Sequence, residues 1–115
     1  MSGESPADKV AIVQAQLEAY NAQDTAAFAA TYAEDVVVAE VGGEVTIRGR
    51  AALFDRYAKL FAEFPDNRAE ILHRIVIGDR VVDHERVTRR ADTIIEVLAV
   101  YTVTDGLIRR VDFIK

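Results

Sequence analysis

The feature that most narrows what this chain can fold into is the rhythm of its C-terminal half. Four runs rich in Val, Ile and Thr (69–77, 80–89, 93–103 and 107–114) have turns at Gly78-Asp79, Arg90-Ala91-Asp92 and Asp105-Gly106 between them. β-Branched residues pack well on a pleated surface, and two- or three-residue connections carrying Gly or Asp close tight hairpins. The expectation is four consecutive antiparallel strands.

The N-terminal half has a different period. Ser5-Pro6-Ala7-Asp8 supplies an N-cap serine, a proline at the first helical position and an acidic third residue. The helix this opens carries Val10, Val13, Leu17 and Tyr20 as one apolar stripe and ends near Asn21. Asp24 caps a shorter second helix, with Phe28 and Tyr32 one turn apart on its face. Val36-Val37-Val38 reads as a strand that Gly42-Gly43 turns into a partner over 44–48. A third amphipathic helix over 50–64 presents Leu53, Tyr57, Leu60, Phe61 and Phe64 before Pro65-Asp66-Asn67 ends it. Helices gathered ahead of a meander predict an α+β fold with the helices on one face of the sheet.

A chain of 115 residues is sized for one domain, expected over 1–115 with residues 1–5 as a flexible tail. No apolar run approaches the ~20 residues of a membrane helix and no basic-then-apolar leader is present, so a cytoplasmic location is expected. The lack of cysteine excludes disulfides, thiolate chemistry and cysteine metal sites. A net charge of −5 argues against nucleic acid as a partner. The basic residues are eleven Arg against three Lys, and Arg suits fixed, paired contacts.

Strand alternation points to a pocket. With Gly78-Asp79 as a two-residue turn, Val76 faces Val81, Arg74 faces Asp83 and Leu72 faces Glu85, all on one side. Ile71, His73, Ile75, Val82, His84 and Arg86 fall on the other. In the next strand both alternating sets, Ile95 to Val103 and Ile94 to Thr102, are apolar enough to be buried. A polar-lined cavity on one face and an apolar surface meeting a second copy in a C2 dimer on the other would satisfy both. Asp83 and Glu85 share a face that His84 does not, so the three cannot form one metal cluster or triad, and neither a metal nor a cofactor is expected. The two carboxylates could share a site and raise one pKa, or Arg74 could neutralise Asp83 as a structural pair. His73 and His84, opposite each other, suit a surface or interface role.

Several segments carry a family resemblance. Tyr20-Asn21-Ala22-Gln23-Asp24 with Phe28, Tyr32-Ala33-Glu34-Asp35-Val36-Val37-Val38, Ile47-Arg48-Gly49-Arg50 with Tyr57, and the closing Val103-Thr104-Asp105-Gly106-Leu107-Ile108 together resemble the nuclear-transport-factor-2-like (NTF2-like) superfamily. The SnoaL-like and ketosteroid-isomerase-like branches are the ones resembled. The resemblance implies a cone-shaped α+β barrel, in which a strongly curved, mostly antiparallel sheet and three N-terminal-half helices enclose a pocket. It also implies a small apolar, polyketide- or steroid-like ligand. It does not single out a reaction, because this superfold hosts isomerases, cyclases, dehydratases, epoxide hydrolases and non-catalytic modules. Matched to ketosteroid isomerases, the base falls at Glu40 and two pocket tyrosines at Tyr32 and Tyr57. The principal oxyanion-donating tyrosine falls at Gln16 and the protonated aspartic acid near Ala99, so the usual acid pair for an enolate is missing.

Glu40, ending a β-branched strand opposite aromatic helix faces, would be partly desolvated and raised toward a useful basicity; beside Gly42-Gly43 it can equally point into water. Phe28, Phe54, Phe61, Tyr101 and Phe113 are candidate pocket walls, with Asp83 and Glu85 as polar groups, although core packing also accounts for the phenylalanines, Tyr32 and Tyr57. The expected function is an isomerase moving a proton on a small apolar ketone or steroid-like substrate, with Glu40 as base and Tyr32 and Tyr57 orienting. The alternatives are a non-catalytic ligand-binding or dimerisation module, and a hydrolase or dehydratase using paired carboxylates.

Overall fold

The computed structural model describes residues 5–115, in the order α1 (Pro6–Ala22), α2 (Thr25–Ala30), β1 (Tyr32–Glu40), β2 (Val45–Arg48), α3 (Arg50–Glu63), β3 (Arg68–Ile77), β4 (Arg80–Arg90), β5 (Thr93–Thr104) and β6 (Leu107–Ile114). The tail expected over 1–4 lies outside the described residues. Ser5, counted with it, is instead the α1 N-cap. Its hydroxyl accepts from the Asp8 N–H at 3.1 Å and the Asp8 carboxylate accepts from the Ser5 N–H at 3.1 Å, a reciprocal box that satisfies two helix-end donors. No described helix is long and apolar enough to cross a membrane.

The six strands form one sheet in the order β2-β1-β6-β5-β4-β3. β3 to β6 are the expected run of antiparallel hairpins. β1 lies against β6 in parallel, so the hairpin β1–β2 is joined to the meander through the chain's last strand. That pairing changes one expectation: Tyr32 is the first residue of β1 and not part of the second helix. α2 stops at Ala30, and the Ile108 N–H donates to the Thr31 carbonyl at 3.0 Å, drawing Tyr32 into register with Ile108.

A second difference concerns register. Val76↔Val81, Arg74↔Asp83 and His73↔His84 pair as the turn predicts, but a bulge between Ile71 and His73 absorbs one residue. Ile71, not Leu72, therefore faces Glu85. A bulge moves every residue beyond it to the opposite face, and the turn-based count carries no signal for it.

The helices cover one face. Phe28 of α2 sits at the centre of an aromatic cluster, with ring centroids 4.6 Å from Tyr57, 5.0 Å from Tyr32 and 6.0 Å from both Tyr20 and Phe61. One fully buried ring thus ties α1, α2, α3 and β1 together. Gly49 turns the chain from β2 into α3 at φ +90°, a region that L side chains rarely adopt, while its N–H donates to the Val36 carbonyl at 2.7 Å.

At the outer sheet edge, β3 needs cover for its unpaired backbone groups. The Asn21 side chain supplies it: its amide donates to the Ala69 carbonyl at 2.9 Å and its oxygen accepts the Ala69 N–H at 2.7 Å, as another strand would. Asn21→Ala is expected to lower unfolding free energy by about 1–3 kcal/mol with an unchanged urea m-value, because two backbone groups of a buried residue lose their partners. A urea midpoint equal to the parent's would show that the clamp contributes nothing.

Candidate active site

A cavity of about 220 Å³ opens between the concave face of the sheet and the helices. α1 contributes Gln16, Leu17 and Tyr20, α3 contributes Arg56, Tyr57 and Leu60, and β1 and β2 contribute Tyr32, Val38, Glu40, Thr46 and Ile47. The meander supplies Ala69, Glu85, Val87, Arg89, Ile95, Val97, Tyr101 and Phe113, with Lys115 beyond it. The volume is below the ~300–1,000 Å³ usual for drug-sized ligands, so the site suits a compact molecule.

Of the residues expected here, Gln16, Tyr32, Glu40, Tyr57, Glu85, Tyr101 and Phe113 converge on this cavity. Phe28 and Phe61 sit behind it in the aromatic cluster, Phe54 is exposed on α3, and Ala99 and Asp83 are buried in the sheet without lining it.

The two acids on one face of β4 meet different fates. Asp83 is 1 % exposed and receives a two-pronged contact from Arg74, Nε to Oδ1 at 2.7 Å and Nη2 to Oδ2 at 2.9 Å, while Arg74 Nη1 donates to the Gln14 side-chain oxygen at 2.9 Å. The structural-pair alternative for Asp83 describes this arrangement. Glu85, 7 % exposed, has no cation in ion-pair contact among the described residues; the Tyr101 hydroxyl donates to its Oε2 at 3.1 Å. Burial, reinforced by the negative charge of Asp83, pushes the Glu85 carboxyl up to about 7, against the smaller opposing pull of Tyr101 and Arg74.

Register explains how Tyr101 reaches Glu85. Tyr101 stands opposite Val81 and Glu85 opposite Val97, with the pair Asp83↔Ala99 between them. Arg74 engages Asp83 from β3, and Ala99 is a single methyl, so the tyrosine can lean across both. Where the family resemblance leads one to look for an acid, near Ala99, the chain instead leaves room for a tyrosine to approach an acid on the neighbouring strand.

Tyr20, Tyr32 and Tyr57 also face the cavity. Burial holds the Tyr32, Tyr57 and Tyr101 hydroxyls well above their ordinary pKa, so each stays a proton donor at neutral pH. The Tyr32 hydroxyl is hydrogen-bonded to the Gln16 side chain, and Arg89 Nη1 donates to the Tyr20 hydroxyl at 3.2 Å. Glu40 is at the mouth: its side chain is 42 % exposed and its Oε2 lies 3.6 Å from Lys115 Nζ.

Arg89 and Arg56 were not among the expected site residues. For Arg89 a signal existed, since it continues the 83-85-87 alternation along the cavity face of β4. Arg56, on a helix between Leu53 and Tyr57, offered none beyond its neighbours.

Glu85 gives the site a measurable signature. Its carboxyl titrates at about 7 when folded against an ordinary 4.5, so between those values the folded chain holds more protons than the unfolded one and stability falls as pH rises. The loss across that window is on the order of 3 kcal/mol, at ~1.4 kcal/mol per pH unit. Glu85→Gln, neutral throughout, is expected to match the parent in unfolding free energy near pH 4.5 and to exceed it at pH 8. Parallel pH profiles for the two proteins would contradict the raised carboxyl.

The sequence profile of the SnoaL-like domain matches residues 13–111. An uncharacterised cystatin-fold protein from Novosphingobium aromaticivorans superposes with a TM-score of 0.88 at 31% identity, covering 93% of this chain and 97% of that one. A proposed polyketide cyclase from Sinorhizobium meliloti superposes with a TM-score of 0.76 at 27% identity, covering 90% and 93%. An epoxide hydrolase from M. tuberculosis shares the fold, with a TM-score of 0.77 at 20% identity over 93% of this chain and 81% of its own. No functionally curated protein matches the sequence. The fold, the match over nearly the whole chain and the helix-covered cavity agree: the chain belongs to the SnoaL-like domain family of the NTF2-like superfamily.

Proposed function

We propose that the protein is an isomerase that moves a proton on a small carbonyl compound, with Glu85 as the proton carrier. The observation that carries this reading is the cavity-facing Glu85 carboxyl, buried, titrating at about 7 and held by Tyr101. A base poised near the operating pH maximises both its ionised fraction and its proton affinity. Tyr101 fixes the carboxylate by binding Oε2 and leaves Oε1 to meet the substrate.

In a β,γ-unsaturated ketone, Glu85 removes the proton between the carbonyl and the alkene, the electron pair moves into a dienolate, and the same proton returns to the γ carbon. Tyr57 and Tyr32 are the donors that meet the developing oxyanion, and their raised pKa values keep them protonated while they do so. These phenols offset the lack of an acid pair at Gln16 and Ala99. Glu40, placed at the mouth and paired to Lys115, serves in this reading as a rim group and not as the base. The hydrolase alternative requires an acid, an arginine and a second acid gathered in the cavity, whereas Arg74 and Asp83 satisfy each other outside its lining.

Cyclohex-3-enone, small enough for the cavity, is the substrate for the test. Conversion to cyclohex-2-enone, followed by ultraviolet absorbance, is expected to have a kcat/KM that rises through pH ~7, and Glu85→Gln should lower it on the order of 10²–10⁴-fold. A Glu40→Gln variant should change it far less. No turnover above buffer, or a Glu85→Gln variant as fast as the parent, would overturn the assignment.

We also propose that two copies meet through the convex sheet face. Ile75, Ile77, Ile94 and Ile114 are exposed there, while Val82, Leu98 and Val100 are half-buried among them. Polar groups on this face are already matched locally: Arg86 pairs with Glu70, Arg110 pairs with Asp112, and His84 Nε2 is hydrogen-bonded to Glu96 at 2.7 Å. Four strands at ~4.8 Å spacing and about ten residues long present roughly 600–800 Å², close to the ~800 Å² each partner buries in a stable complex. Light scattering should give twice the chain mass for the parent and the single-chain mass for Leu98→Arg; a monomeric parent excludes the interface.

A further inference from the structure

The arginines of this chain divide by their partners. Arg50, Arg74, Arg80, Arg86, Arg109 and Arg110 each meet a carboxylate within 4.0 Å, as an acidic chain readily allows. Among the described residues Arg48, Arg56, Arg68, Arg89 and Arg90 do not, and of these five Arg56 and Arg89 line the cavity. Arg56 donates only to the Thr46 carbonyl, at 3.4 Å. Arg89, half-buried, uses a single nitrogen, Nη1, for both of its bonds, to the Tyr20 hydroxyl at 3.2 Å and to Asn67 Oδ1 at 2.8 Å. Both partners are neutral.

An unpaired guanidinium in a half-buried site is costly unless something negative joins it. Nη1 is anchored, so the plane of the guanidinium is fixed, and its Nε and Nη2 donors have no partner among the described residues. Those two N–H groups form the fork that matches the two oxygens of a carboxylate. The third cation of the lining, Lys115, is occupied by Glu40 at 3.6 Å.

We infer that the ligand is a small monocarboxylate, its carboxylate received by the free edge of Arg89 and its apolar body lying along Leu17, Val87 and Val97 toward Glu85. This rests on the cavity being the substrate site, as proposed above, and names the class of molecule it takes. Arg89 and Glu85 are four residues apart on one strand face, ~13 Å between Cα atoms, which the two side chains shorten to roughly the length of one ring or a short chain. The small cavity volume agrees with that span. A steroid has neither the size nor the charge. The substrate class becomes a short unsaturated or keto acid whose acidic carbon lies away from its carboxylate.

Benzoate and benzamide share a shape and differ in charge, and their calorimetric affinities at about pH 6, where Glu85 is largely protonated, test the inference. Benzoate is expected to bind at least about ten-fold more tightly than benzamide, and Arg89→Met should bring the two within about two-fold while benzamide binding persists. Arg89→Lys keeps the charge and loses the fork; it should weaken benzoate several-fold and leave benzamide unchanged, and it carries the test if Arg89→Met fails to fold. Glu85→Gln should keep the benzoate preference. The benzoate preference reads the Arg89 contact and the enone assay reads proton transfer by Glu85, so a failed enone assay with an intact preference leaves the carboxylate inference standing. Equal affinities, no saturation by benzoate up to about 20 mM, or a preference that survives both Arg89 variants overturns the carboxylate inference.

Discussion

The arrangement of the site depends on the pairing of Arg74 with Asp83. A carboxylate 1 % exposed inside a sheet is tenable only with a cation and further hydrogen bonds around it, and Arg74 supplies both prongs while the Gln14 side chain of α1 accepts from its Nη1. This contact, like the Asn21 clamp on Ala69, joins helix to sheet through polar groups. Its second effect is spatial. With Asp83 held by β3, the stretch between Tyr101 and Glu85 is crossed only by the methyl of Ala99, and the phenol–carboxyl contact can form. Its third is electrostatic, because an ionised Asp83 nearby adds to burial in raising the Glu85 carboxyl, and Arg74 only partly offsets that charge. Removing Arg74 would thus disturb stability, geometry and proton affinity together.

Much of the fold was legible in the sequence because its turns are short and chemically marked. Gly78-Asp79 and Asp105-Gly106 set the hairpin boundaries, Ser5-Pro6 and Asp24 set the helix starts, and the observed elements begin and end close to those marks. What was not legible is non-local. The parallel contact of β1 with β6 joins residues about seventy positions apart, and no local pattern in Tyr32 to Glu40 announces it. Tyr32 also satisfies a helical spacing with Phe28, and only the pairing with Ile108 places it in the sheet. The bulge near Leu72 is of the same kind, since both alternation and turn length are compatible with an unbroken ladder.

The site was legible in its members more than in their roles. Alternation put Asp83 and Glu85 on one face, but which acid would face the cavity depends on where Arg74 ends its reach, a matter of ångströms that residue order does not contain. The family resemblance drew attention to Glu40, which lies on the cavity, at its mouth. Alternation along β4 also reaches a cation. Arg89 belongs to the same face as Glu85, and an arginine in a strand of an arginine-rich chain is easily assigned to solvent. Its difference from the paired arginines emerges only when partners are counted.

The cavity combines features that oppose stability in isolation. Among the described residues Glu85 is buried without a paired cation, Arg89 is half-buried without a paired anion, and the two stand on the same strand without contacting each other. A direct ion pair between them would have relieved both. The chain instead holds each in place with neutral groups, Tyr101 for the acid and Tyr20 with Asn67 for the guanidinium, and Tyr20 belongs to the aromatic cluster around Phe28 that fixes the helices. Neutral anchors orient a charged group without neutralising it, so the acid keeps its raised proton affinity and the guanidinium keeps its attraction for an anion. Rigid rings supply this at low entropic cost, since a tyrosine has few torsions to freeze. The unpaired state of the two charges is therefore maintained by the same packing that closes the core, and a ligand bearing a carboxylate at one end and an acidic carbon at the other would relieve both at once.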